Sequence, residues 1–315
     1  MTFECSSTYR PTLVLTGEPP EPWPSDPSRL AEAQAMAYNY QQSLGTEAFQ
    51  ELKQGLRHFR QGQYPTALNR LQQALKSYRS LGDRSREMKV LMILATLYYR
   101  LADYLWAADY GRQCLNRARE LGDAELMQQA LGHLGNSYRH LGDLQKALEY
   151  MTQSLNLAKK MGDQPGEMRS LNNLAMVYRA KGLTRQAATL YEASLLIGKT
   201  LGDDIVHLQI LQNLGNTYLT LREYPQAIEC YENFLSLSQG LGQGGASGVT
   251  DNYTRRRILT QLTTASLAIN DHNRAILHLQ QHLTIACAQG DTRGAATLID
   301  DLSRSYAALN LTQGQ

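Results

Sequence analysis

The fold is decided by one stretch, from Leu121 to Lys160, with the sequence LGDAELMQQA LGHLGNSYRH LGDLQKALEY MTQSLNLAKK. The Gly-Asp pair near its start recurs every 40 residues, at Gly82-Asp83, Gly122-Asp123, Gly162-Asp163 and Gly202-Asp203. Three further columns keep the same interval: alanine at Ala67, Ala107, Ala147, Ala187 and Ala227, leucine at Leu94, Leu134, Leu174 and Leu214, and tyrosine at Tyr98, Tyr138, Tyr178 and Tyr218. An interval shared by several residue types indicates a repeat architecture.

Within one unit, the spacing of the apolar residues is helical. Leu131, Leu134 and Tyr138 are separated by three and seven positions, which places them on one face of an α-helix. The pair Gly142-Asp143 interrupts this pattern, and a second apolar face follows it, beginning at Ala147. No stretch of any length alternates with the period of two that a β-strand requires. We therefore predict an all-α array of antiparallel helical hairpins.

The chain is predicted to have three parts, residues 1–45, 46–309 and 310–315. The first is an acidic arm with a net charge of −3, which contains six of the nine prolines and ends in a weak lead-in helix near 28–44. The second is the array of about six and a half repeats. Its register shifts by eight residues after Gly242, which predicts a loop insertion near 243–250, since loops between units tolerate added length. The third part is a short tail.

The motif Leu-x-x-Leu-Gly-x-x-Tyr at 131–138, followed by a glycine, an alanine and an aromatic residue, resembles the tetratricopeptide repeat. The 40-residue period with Leu-Gly-Asp between units is similar to the long-helix Pins/LGN-like variety. Three positions depart from the pattern, namely His58, Gly111 and Ser266. The resemblance implies a right-handed superhelix whose first helices line a concave groove. It also implies that asparagines in the groove hold the backbone of a ligand and that basic residues hold its acidic groups.

The composition sets limits on the function. The net charge is +2, which gives no reason to expect a nucleic-acid partner. The four cysteines are scattered without a CxxC pair, so we expect reduced thiols. No apolar stretch approaches the roughly 18 residues of a membrane span, and the first residues lack the pattern of a signal peptide. These observations favour a cytoplasmic protein.

Counting from the small Gly/Ala position of each first helix gives the side chains expected to point into the groove. The predicted peptide-binding residues are Arg100, Asn136, Arg139, Arg169, Asn172, Asn173, Arg179, Gln212, Asn213, Asn216 and Arg257. None of them is acidic, so the groove is predicted to be electropositive. An amide both donates and accepts hydrogen bonds, and an arginine fork binds a carboxylate through two bonds. The sequence therefore predicts a non-catalytic adaptor or assembly chaperone that binds an extended or helical acidic segment of a partner protein.

Two other functions remain open. In the first, the acidic arm 1–27 occupies its own groove until a partner displaces it. In the second, a terminal unit stacks on another copy, so that the chain self-assembles as a scaffold. A groove whose polar side chains only face solvent is the plain alternative to ligand binding.

We expect neither a phosphate-binding loop, nor a metal site, nor a reactive thiol from this sequence. The glycine-rich segment 242–248 joins two predicted helices and lacks the strand that precedes a phosphate-binding loop. His278 and His282 are four residues apart on a predicted helix, without the glutamate of an HExxH motif. Cys114 lies in the same core column as Ser154 and Ser194, which predicts a small buried thiol. We expect no enzyme, cofactor or metal.

Overall fold

The computed structural model describes residues 27–243 and 252–313, with side chains over 39–240 and 252–310. Thirteen helices and no strand occur in these ranges. In chain order they are α1 (Pro27–Arg60), α2 (Tyr64–Leu81), α3 (Arg84–Arg100), α4 (Tyr104–Leu121), α5 (Ala124–His140), α6 (Leu144–Met161), α7 (Gln164–Ala180), α8 (Thr184–Leu201), α9 (Asp204–Leu221), α10 (Tyr224–Gln243), α11 (Asn252–Ala268), α12 (His272–Ala288) and α13 (Thr292–Gln313). Consecutive helices pack as six hairpins followed by a single helix. The predicted array is confirmed.

The recurring Gly-Asp pair ends one hairpin and begins the next. Gly122, for example, follows α4 with a φ of 69°, a left-handed conformation that glycine adopts without steric cost. The carboxylate of Asp123 then accepts a hydrogen bond from the backbone N–H of Leu126 at 2.9 Å and caps α5. Such a cap stabilises a helix by about 1 kcal/mol.

The small residues of the first helices allow the second helices to cross closely. A Cβ added at Gly135 would lie 2.7 Å from the Met151 side chain, and one added at Gly215 would lie 2.7 Å from the Tyr231 ring. Real contacts are not this short, so only glycine fits at these two positions without a shift of the neighbour.

In three hairpins, a small polar residue on the second helix bonds the backbone of the first helix. The Cys114 thiol donates to the carbonyl of Met88, and the hydroxyls of Ser154 and Ser194 donate to carbonyls at the equivalent positions, 26 residues earlier in each case. Burial raises the pKa of the Cys114 thiol to about 12, so it stays protonated. The predicted buried thiol is confirmed.

The odd-numbered helices form the inner layer of the array. Contacts join α3 to α5, α5 to α7 and α7 to α9, whereas the even-numbered helices make no comparable contacts with one another over the described ranges. Helices that approach their next-but-one neighbours lie on the more closely spaced, concave side. The first helices α3, α5, α7 and α9 therefore face the groove.

Two predicted features of the domain organisation are the lead-in helix before residue 45 and the loop insertion near 243–250. The lead-in helix near 28–44 and the first helix of the array are one continuous helix, α1. No proline interrupts it at the predicted boundary, and the Thr46 hydroxyl bonds the carbonyl of Gln42 one turn earlier. Residues 1–26 of the acidic arm and residues 244–250 of the predicted insertion lie outside the described residues.

The last helix, α13, has the pattern of a first helix, and no second helix covers it within the described residues. Ile299 is 51% exposed, whereas Leu259, at the equivalent position 40 residues earlier, is 0% exposed. Tyr306 is exposed as well. An apolar face that is covered in the preceding repeat is therefore uncovered in α13.

Candidate functional site

The predicted groove residues all lie on odd-numbered helices, from α3 to α11. Four arginines are exposed, namely Arg100, Arg169, Arg179 and Arg257. The half-buried members are Asn136, Arg139, Asn173, Gln212, Asn213 and Asn216. The groove therefore presents amides along its floor and guanidinium groups above them.

The electrostatic partners of the groove arginines bear on what the groove can bind. Over the part of the chain that the structure describes, none of the five groove arginines pairs with a carboxylate. Elsewhere, Arg79 and Arg117 hold the buried Glu87 at 2.9 and 3.1 Å, and Arg256 pairs with Asp291 at 2.6 Å. The guanidinium groups of the groove are therefore free to bind an anionic ligand, as are those of some arginines outside it, such as Arg112 and Arg119.

One predicted residue has to be removed from the set. Asn172 is 3% exposed, and its side-chain oxygen accepts a hydrogen bond from the amide of Asn213 at 3.2 Å. It lies on the side of α7 that α9 covers, so it joins two helices and is not available to a ligand. The neighbouring Asn173 lies on the open side of the same helix.

The amides of α9 are also partly engaged within the protein. The Tyr231 hydroxyl donates to the side-chain oxygen of Asn216 at 2.7 Å. The side-chain nitrogen of Gln212 is buried and has no hydrogen-bond partner among the described residues. Asn136 and Asn173 make no side-chain hydrogen bond there. The side chains of Asn136 and Asn173 therefore have the capacity to bond a ligand backbone.

An aromatic cluster that was not among the predicted residues lies where α3 meets α5. The His140 ring stacks on Tyr104 with centroids 4.3 Å apart and also contacts the edge of Tyr99. Its Nε2 lies 3.0 Å from the Tyr99 hydroxyl and 2.8 Å from Nη2 of Arg139. Because a guanidinium N–H can only donate, Nε2 accepts from Arg139 and the ring is neutral in this arrangement. Burial, assisted by the charge of Arg139, lowers the pKa of His140.

This cluster fixes the position of Arg139 in the groove. The signal in the sequence is the separation of 41 residues between Tyr99 and His140, one repeat plus one position. Comparing equivalent positions in the repeats does not predict this contact, because Tyr99 and His140 are different residue types at adjacent positions of the repeat.

The histidine pair has a structural role. His278 and His282 are both buried, and Nε2 of His282 accepts a hydrogen bond from Nε of Arg256 at 3.1 Å. The described ranges contain no group of three or more His, Cys, Asp or Glu side chains arranged to hold a metal ion. In the same ranges, no helix combines the length and apolar character needed to cross a bilayer.

The fold and the groove define the protein as an all-α solenoid of helical hairpins with a polar, positively charged concave face. Sequence models described as tetratricopeptide repeat match residues 52–119, 126–197 and 169–240, which together exceed half of the chain. The chain belongs to the tetratricopeptide repeat family and is a protein-interaction repeat module. Comparison with curated protein sequences gave no match.

Solved structures of similar fold include BtubC from P. vanneervenii, with a TM-score of 0.60 and 20% identity over 78% of this chain and 92% of that one. A Rap protein complexed with competence and sporulation factor has a TM-score of 0.59 and 14% identity over 84% and 76%. Aspartyl phosphate phosphatase F from Bacillus subtilis has a TM-score of 0.62 and 12% identity over 89% and 74%. At these identities the similarity shows the fold alone.

Proposed function

We propose that the groove binds an extended or helical acidic segment of a partner protein, and that the chain acts without catalysis as a cytoplasmic adaptor or assembly chaperone. The observation behind this proposal is the set of five groove arginines without an internal carboxylate. A guanidinium group has five N–H donors in a planar fork that matches a carboxylate. Leaving five such groups unpaired on one face is favourable only where water or a ligand supplies acceptors.

The amides support binding of a peptide backbone in addition to its acidic groups. Asn136 and Asn173 are half-buried on groove-facing helices, and their side-chain amides make no hydrogen bond among the described residues. Each carries a donor and an acceptor, which is the complement of a peptide unit. A nucleic-acid ligand would instead require cations spaced along a phosphate backbone, without need for these amides.

The test is affinity capture from native lysate with the intact protein and with the double variant Arg139→Ala/Arg179→Ala. We expect the variant to lose a protein that the intact form retains, with mass spectrometry identifying it. The matched control is Arg112→Ala/Arg119→Ala on α4, which removes the same charge from exposed positions on an even-numbered helix. Equal loss in both variants would attribute capture to net charge and reject the groove.

The uncovered face of α13 favours a second candidate function, self-assembly through the end of the array. Ile299 and Tyr306 would pack against a second copy in the way that equivalent residues pack inside the other repeats. Sedimentation over a wide concentration range tests this. A monomer at the highest concentration would reject it.

A further inference from the structure

A cleft of about 430 Å³ lies between the first helices α11 and α13, with α12 as its base. Contacts join α3 to α5, α5 to α7 and α7 to α9, whereas no comparable contact joins α11 to α13 within the described ranges. The first helices of the last two units are therefore farther apart than those in the middle of the array, and the α11–α13 cleft occupies the space between them.

The cleft exists because this repeat carries other residues where the preceding hairpin is closely packed. Allowing for the register shift of eight residues, Leu279 is equivalent to Tyr231, and Thr263 is equivalent to Gly215. In the preceding hairpin the Tyr231 ring lies directly against Gly215, so that an added Cβ would be 2.7 Å from it. Leu279 lacks this ring, and Thr263 adds a branched side chain on the facing helix. Space that a buried ring fills in one repeat is therefore open in the next.

The exposed edge of the cleft carries side chains at the positions that line the groove in the other repeats. Thr264 is equivalent to Asn136, and Leu267 is equivalent to Arg139. Both threonine and leucine are exposed and line the cleft. In the second of these columns the side chain changes from arginine on α5 and α7 to leucine on α11. A ligand that lies along the groove would therefore reach the cleft at its α11 end.

The lining of the cleft suits an apolar group. Leucines from all three helices contribute to it, namely Leu267, Leu279 and Leu298. Four threonines line it as well, and each hydroxyl donates to the carbonyl one turn earlier on its own helix: Thr260, Thr263, Thr264 and Thr297. Because these protons are already engaged, none of the four hydroxyls has a proton to donate to a ligand.

The charged side chains that line the cleft are paired within the protein. Arg256 pairs with Asp291 at 2.6 Å, and Asp301 pairs with Arg304 at 2.7 Å. Arg257 lies in the adjoining pocket, which shares Arg256 with the cleft, and has no carboxylate partner among the described residues. An apolar group in the cleft would therefore lie beside a guanidinium group that is free to bind a carboxylate.

We propose that the α11–α13 cleft binds a large apolar side chain, such as phenylalanine, of the acidic segment that lies in the groove. This deepens the proposed function and rests on it, since acidic residues of the same segment would bind Arg257 and the arginines of α5 and α7. A cavity of about 150 Å³ accommodates benzene, so the cleft has room for an aromatic ring. Burial of such a side chain should raise the affinity about ten-fold or more.

The test uses a panel of acidic peptides in fluorescence anisotropy with the full chain. Each peptide carries two glutamates and one phenylalanine at a systematically varied spacing, and each has a counterpart with serine in place of phenylalanine. At one spacing or more, we expect the phenylalanine peptide to bind about ten-fold more tightly than its counterpart. Thr297→Trp, which fills the cleft from its exposed edge, should remove this difference. The matched control is Thr189→Trp at an exposed position of α8, which should preserve it.

The outcomes separate the cleft from the proposed function. Equal affinities at every spacing, or a preference that persists in Thr297→Trp, would overturn the cleft site and leave acidic-peptide binding intact. A preference lost in Thr297→Trp but indifferent to replacement of the glutamates by glutamine would support the cleft and reject binding of acidic groups. Self-association lost in Thr297→Trp, without any preference for phenylalanine, would assign the cleft to a second copy and overturn the proposal. Circular dichroism establishes that both tryptophan variants fold.

Discussion

Three glycines in first helices provide a graded test of how tightly the hairpins pack. Gly132, Gly135 and Gly215 are all helical, so replacement by alanine gains the same helix propensity, about 1 kcal/mol. They differ in the atoms that the new methyl group would contact. At Gly132 the nearest atom is the Ser154 hydroxyl at 3.8 Å, an ordinary contact. At Gly135 it is the flexible Met151 side chain, and at Gly215 it is the Tyr231 ring.

The expected changes follow from the neighbours' freedom to move. Gly132→Ala should stabilise the protein by about 1 kcal/mol. In Gly135→Ala, Met151 can shift at a cost comparable to the propensity gain, so we expect little net change. In Gly215→Ala, the rigid ring is fully buried and its hydroxyl is bonded to Asn216, so overpacking at about 1–3 kcal/mol outweighs the gain. A net loss of up to about 2 kcal/mol is expected from these two terms.

Urea unfolding followed by circular dichroism measures the three variants against the parent. The midpoints should fall in the order Gly132→Ala, Gly135→Ala, Gly215→Ala, with slopes that stay constant if cooperativity is preserved. A Gly215→Ala variant as stable as Gly132→Ala would refute the close crossing of α9 and α10. Since Tyr231 contacts Asn216, the same variant should also disturb the groove floor.

Four further outcomes are expected. Replacing Arg139 and Arg179 by alanine should weaken binding of a glutamate-rich peptide by about 2–4 kcal/mol, on the order of 30-fold or more, in anisotropy titrations. Burial lowers the pKa of five histidines, among them His278. Because the unfolded chain then binds more protons than the folded chain, stability should fall as the pH drops below about 6.5. The variant His278→Gln should make the urea midpoint less dependent on pH. Ile299→Glu should abolish any concentration-dependent association seen in sedimentation. Deleting residues 1–27 should raise partner affinity if the arm occupies the groove, and an unchanged affinity would reject autoinhibition.

The repeat interval predicts the hairpins because the same local sequence signals occur in several consecutive units. Glycine at the end of one helix and aspartate at the start of the next are short-range signals. The alanine and glycine columns likewise predict close helix crossing, which the distances at Gly135 and Gly215 confirm. Near residue 45, by contrast, no local signal ends a helix, and α1 continues through this position.

The groove was predictable as a face, but its individual contacts were not. Asn172 and Asn173 are adjacent, and helical spacing places both near the inner surface. Which of them is buried depends on the position of α9, a long-range property that the spacing within α7 does not contain. The partners of Arg139 depend in the same way on the ring of His140 and on Tyr99 in another repeat.

The hydroxyl and thiol column at Cys114, Ser154 and Ser194 has a mechanical consequence. Each member fixes the angle within its hairpin through a directional bond, and in the next repeat the column holds Phe234, whose ring makes only apolar contact. Directional bonds resist rotation, whereas apolar surfaces permit small sliding movements. Beyond α8, bending of the array should therefore concentrate in the hairpin of α9 and α10, so that the groove changes width there while the basic centre keeps its shape.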